Sequence, residues 1–230
     1  MTSNLAQRTS PASLWRAAGR HARFRLIIGG AVAITTVIMV GLLYFLRANE
    51  ARVGVVLPDP LLAALPARDL SVPIFILEYG SLLWVLLQLR RHPLRLPAAV
   101  LAYGLVMLMR LVTVWVTPLD PPQDFIMLVD PIVSLAGGGT ELTRDLFFSG
   151  HTAAMFIFAF SSPHPRARWV LGGAGIVVAT MLLVQRAHYT VDVLVAPAMS
   201  LSAWTIARRS VLWSWRRGAH LPSPTSELQS

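Results

Sequence analysis

The stretch LIIGGAVAITTVIMVGLLYFL, residues 26–46, decides the class of this protein. Its 21 residues carry no charged side chain, enough to cross the ~30 Å hydrocarbon core of a bilayer as a helix. An arginine-bearing segment precedes it and no small-residue cleavage site follows it, so it reads as a retained signal-anchor. The rest of the chain agrees. Hydrophobic residues make up 55% and charged residues 13% of the 230, whereas soluble domains carry about 25% charged residues. So few charges cannot cover a water-facing surface, and lipid must be part of the solvent. A typical cytosolic enzyme, a collagen-like chain and a disordered tail are excluded together. Cysteine is absent, which excludes a disulfide framework, a thiolate zinc site and a cysteine nucleophile. All 20 basic residues are arginine, so a lysine Schiff base or a P-loop lysine is excluded as well.

Working outward from the first span, five more apolar segments follow. They cover about residues 72–89 with Glu78 inside, 96–116 with Arg110 inside, a short one at 149–162, 169–185, and 191–207 with Asp192 at its mouth. The arginines alternate with them. Fourteen, from Arg8 to Arg25, Arg90 to Arg95, Arg166 and Arg168, and Arg208 to Arg217, fall on one side. The other side holds Arg47, Arg52, Arg68, Arg144 and Arg186 together with nine acids, from Glu50 to Asp192. The positive-inside rule then places both termini in the cytoplasm. The net charge of +9 is thus a topology signal and not a nucleic-acid patch, and no nucleic-acid partner is expected. The expected architecture is an all-α integral membrane bundle of six transmembrane helices. Residues 1–25 form a cytoplasmic N-terminal segment, 26–207 the catalytic bundle and 208–230 a cytoplasmic tail, frayed from Ser210 onward. Trp115, Trp169, Trp213 and Trp215 read as an interface belt, and Gly172, Gly173 and Gly175 as close helix packing. The loop at 117–148, broken by Pro118, Pro121, Pro122 and Gly137–Gly139, is long enough to be functional.

Four of the six histidines, His21, His92, His164 and His220, sit among cytoplasmic arginines and are expected to be solvated. His151 and His188 differ, because two separate regions bring them to the same depth on the same side. Asp192 follows His188 by four residues and shares its helix face, so its carboxylate can fix the ring tautomer. Ser149 and Gly150 before His151 fit a capped helix start whose free N–H groups attract an anion. Arg110, Arg144 and Arg186 are the candidates for neutralising phosphate oxygens. Two histidines and a carboxylate suit phosphoryl transfer through a phosphohistidine, a zinc or iron site, or plain polar packing. For Arg110, the alternative to a site role is an intramembrane pair with Glu78.

Phe148-Ser149-Gly150-His151-Thr152 and His188-Tyr189-Thr190-Val191-Asp192-Val193 resemble the third and fourth motifs of the sphingomyelin synthase branch of the type-2 phosphatidic acid phosphatase superfamily. Arg110-Leu111-Val112-Thr113 with Val116-Thr117-Pro118-Leu119 resembles its second motif, and Leu57-Pro58-Asp59-Pro60 loosely its first. The resemblance covers about residues 55–200. It implies phospho-headgroup transfer between lipids without metal or cofactor, with a membrane phospholipid and a lipid alcohol as partners. Carried over, His188 is the nucleophile, Asp192 its orienting partner and His151 the general acid. Arg110, Asp145, Ser149, Gly150, Arg186 and Tyr189 are the expected substrate-binding residues. Thr143 and Arg144 replace the cysteine and glycine usual in the third motif, and the lysine-bearing motif of the phosphatases is missing. The synthase-like branch is therefore favoured. The alternative is a lipid phosphate phosphatase or phospholipase-C-like hydrolase acting on phosphatidate, polyprenyl diphosphate or phospholipid. The site is expected to face the periplasmic or exoplasmic side.

Overall fold

The computed structural model describes residues 10–130 and 142–217. The triple glycine at 137–139, Arg8, Glu141 and His220 lie outside them. Eight helices occur among the described residues: α1 Pro11–Arg20, α2 Ala22–Asn49, α3 Pro60–Ala64, α4 Ser71–Leu89, α5 Arg95–Val116, α6 Gly150–Ser161, α7 Pro165–Val184 and α8 Thr190–Arg216. There is no strand among them, only an isolated bridge between Val55 and Leu119 that ties two loops. The helix starts follow local chemistry. Ser10, Asp59 and Ser149 accept backbone N–H groups at the heads of α1, α3 and α6, and proline opens α1, α3 and α7.

Five helices, α2, α4, α5, α7 and α8, are long and apolar enough to cross a membrane. The fourth expected segment, the short one at 149–162, is α6. Its 12 residues rise about 18 Å, short of the ~30 Å core. α6 instead lies inside the bundle, packed against α4, α5, α7 and α8. α2 sits at the edge with Leu26 76% and Val37 72% exposed, as a lipid-facing helix requires. It rests on α5 where Gly104 leaves room, since a Cβ there would lie 3.1 Å from the Cα of Thr35. Of the three α7 glycines, Gly175 alone abuts a neighbour, Met155 and Phe156 of α6.

The chain runs up and down between two ends of opposite character. At the arginine-rich end, the Trp15 indole donates to the carbonyl of Arg90, and Arg23 donates to those of Ser214 and Trp215. Buried Arg95 donates to the last carbonyls of α6, at Ser161 and Ser162. Those contacts carry α8 on to Arg216, where a frayed tail from Ser210 was expected. Val211 is buried there, and Leu212 packs on Phe24 and Leu94. At the other end, long loops fold over the bundle. Gln185, fully buried, donates to Ser71 Oγ and to the Met127 carbonyl and so binds α4 to the 117–130 loop.

Candidate active site

Residues 142–149 descend from the loop end into the bundle, so α6 begins below the mouths of its neighbours. Arg110 marks the depth: it lies six residues before the end of α5 at Val116, about 9 Å along the axis. Irregular backbone at that depth is tolerated only where protein satisfies it. Here Arg110 Nη2 donates to the Asp145 carbonyl (2.7 Å) and pairs with its carboxylate (2.8 Å). Thr113 Oγ1 donates to the Phe147 carbonyl, and the Ser149 N–H donates to the Asp192 carbonyl. Above them, Glu50 accepts the N–H groups of Thr143 and Arg144.

His188 lies in the turn between α7 and α8, 4% exposed. Its Nδ1 meets Asp192 Oδ2 at 3.1 Å, and the same oxygen accepts the Tyr189 N–H at 3.0 Å. Asp192, fully buried, thereby caps α8 and holds the imidazole with Nε2 as the remaining nitrogen. Burial pushes the His188 pKa below the ordinary histidine value, against the opposing pull of Asp192 and with help from Arg110 and His151. A neutral ring is the form a nucleophile needs. His151, in the first turn of α6, holds Glu78 Oε2 at 2.9 Å through its own Nδ1. Each histidine therefore carries its own carboxylate.

His151, His188, Arg110 and Asp145 line one cavity of about 210 Å³ beneath Thr143 and Leu146. Gly150 backs Arg110, whose guanidinium lies where a Cβ at Gly150 would stand. Ser149 caps α6, its Oγ accepting the Thr152 N–H at 3.3 Å. Tyr189 supports the site from behind: its hydroxyl donates to the Asp120 carbonyl and accepts the Leu57 N–H. Two expected arginines are elsewhere. Arg144 is bound to the Asp120 carboxylate (2.6 Å) and the Glu50 carbonyl, and that carboxylate lifts its pKa. Arg186 donates to the carbonyls of Leu65 and Gln123 and lines a separate surface groove beside Asp59 and Tyr189. Its φ of 56° turns the chain after α7. Arg110 is thus the guanidinium in the cavity, and the Arg110–Glu78 pair considered as an alternative is replaced by Arg110–Asp145 and His151–Glu78. The sequence reading missed Glu78 as the partner of His151. The available signal was that Glu78 is an acid inside an otherwise apolar span. Among the described residues, no three His, Cys, Asp or Glu side chains gather as a metal-ligand set.

Comparison with curated proteins gives no match. Residues 144–209 match the family described as PAP2 superfamily C-terminal, so the segment carrying Asp145, His151, His188 and Asp192 is similar to the C-terminal part of that superfamily.

Proposed function

We propose that this protein is a membrane lipid phosphotransferase that moves a phospho-headgroup from a glycerophospholipid to a lipid alcohol through a phosphohistidine on His188. The observation that carries this reading is the single cavity shared by two carboxylate-held histidines and Arg110. Arg110 Nε is buried with no hydrogen-bond partner among the described residues, a donor left over for a substrate oxygen.

In the first half-reaction, His188 Nε2 attacks phosphorus and the bond from phosphorus to the diacylglycerol oxygen breaks. His151 gives that oxygen its proton, and Glu78 orients its ring through Nδ1. In the second, the acceptor hydroxyl loses its proton to His151 while its oxygen attacks phosphorus and the N–P bond breaks. Arg110 holds the phosphoryl oxygens in both halves, and no metal ion is required for this charge balance. Water in place of the lipid alcohol would make the same machinery a hydrolase.

The test is product analysis. Purified protein in detergent receives headgroup-labelled phosphatidylcholine or phosphatidylethanolamine, with and without ceramide, and with and without EDTA. Labelled phosphosphingolipid that forms only with ceramide, and survives EDTA, is the expected result. Free phosphocholine or phosphoethanolamine without acceptor would make the protein a hydrolase. No product from either donor, with phosphate released from phosphatidate or polyprenyl diphosphate, would make it a phosphatase.

The site is proposed to face the periplasmic or exoplasmic side with both termini in the cytoplasm, a reading supported by the arginines gathered at the opposite end. A C-terminal reporter that is active only in the cytoplasm is expected to be active; a silent one that becomes active when exported would reverse the orientation.

A further inference from the structure

α4 and α5 are joined by the tight turn at residues 90–94, yet they do not pack as a pair. α4 leans on α6 and α7, while α5 packs on α2, α6 and α8. The two helices splay from the turn and leave a cleft between them of about 470 Å³, backed by α6. Val85, Leu86, Val100 and Ile157 line its walls, and Leu89 and Leu96, on either side of the turn, line its closed end. His151 and Glu78 stand at its top, and His151 lines both this cleft and the smaller cavity that holds Arg110 and His188.

We propose that the cleft takes one hydrocarbon chain of the substrate lipid, and that its closed end at Leu89 and Leu96 sets the chain length the enzyme prefers. The proposal rests on the phosphoryl-transfer reading, because His151 protonates the oxygen to which the departing lipid is attached. That lipid must continue from His151 into space that accepts hydrocarbon, and the cleft is the apolar space His151 touches. From Glu78 to Leu89 is eleven residues of α4, about 16 Å of depth. A single chain fits, and each methylene it buries is worth roughly fourfold in binding.

The experiment compares substrates that differ only in acyl length, from dioctanoyl to dipalmitoyl and longer, with wild-type protein, Ala99→Trp and Leu96→Ala. Ala99 lines the cleft one turn above Leu96. A tryptophan there is expected to cut kcat/KM for dipalmitoyl substrate roughly tenfold or more while leaving the dioctanoyl value within about twofold. Leu96→Ala is expected to move the optimum to longer chains. Equal loss at all lengths in Ala99→Trp together with an unchanged optimum in Leu96→Ala would overturn the proposal. If Ala99→Trp is inactive throughout, Leu96→Ala decides alone, and an unchanged optimum again overturns it. A change from dimer to monomer in Ala99→Trp with an unaltered chain-length profile would assign the cleft to a second copy instead. Wild-type protein inactive on every phospholipid, phosphatidate and polyprenyl diphosphate would remove the catalytic premise; turnover without any chain-length response would remove the cleft alone.

Discussion

His188→Ala is expected to lower turnover by roughly a thousandfold or more, about 4 kcal/mol of transition-state stabilisation. The size follows from what is lost: the atom proposed to bond phosphorus, not a group that merely polarises it. The fold should survive, since the ring fills little of the core and Asp192 keeps its bond to the Tyr189 N–H. Rapid quench with phosphorus-labelled donor should find acid-labile label on the wild-type protein and none on the variant. Comparable labelling of both would sink the assignment of His188 as nucleophile. The pH dependence has a sign. Burial holds the His188 pKa below the ordinary value of 6.5, so the neutral, attacking form persists to lower pH than in a solvated histidine. The acid limb of kcat/KM should therefore fall below pH 6.5. Asp192→Asn removes the group that pulls this pKa upward, so the limb should move lower still. Turnover should drop by about a hundredfold or more as the tautomer is no longer fixed. A limb that moves up instead would contradict the pairing.

The long helices and part of the candidate site's geometry were legible in the sequence. Expected spans at residues 72–89 and 96–116 meet α4 at Ser71–Leu89 and α5 at Arg95–Val116 within a residue, because long, mostly apolar runs in lipid leave a helix as the available backbone solution. The His188–Asp192 contact was legible too, since i and i+4 lie on one helix face whatever the tertiary structure does. What stayed hidden depends on how helices lean on each other. Glu78 and His151 are 73 positions apart, and whether Glu78 serves His151 or Arg110 is decided by α4 packing on α6. The arginines show the same division. Arg110, Arg144 and Arg186 are equivalent by charge. Loop geometry separates them, fixing Arg144 on Asp120 and Glu50 and turning Arg186 toward Leu65 and Gln123. Residue type and spacing carry no information about such turns.

The second large effect concerns the guanidinium that remains. Arg110→Ala is expected to lower kcat/KM by about a hundredfold to a thousandfold, since it removes the cation from the partly desolvated site proposed for phosphoryl transfer. It also leaves the Asp145 carboxylate without its partner and should loosen the descending loop. A less obvious variant tests the same geometry from the other side. A Cβ at position 150 would coincide with Arg110 Nη1 and lie 3.0 Å from its Cζ. Arg110 cannot yield freely, because Asp145 holds it by both carbonyl and carboxylate. Gly150→Ala should therefore displace the guanidinium and lower kcat/KM by about a hundredfold, although alanine is the better helix former at an ordinary position. Because both substitutions act on one interaction, their effects should not add. The double variant should be no slower than Arg110→Ala alone. If the two losses multiply, Gly150 acts through something other than Arg110, and the close approach of α6 to α5 is not what makes the phosphoryl site.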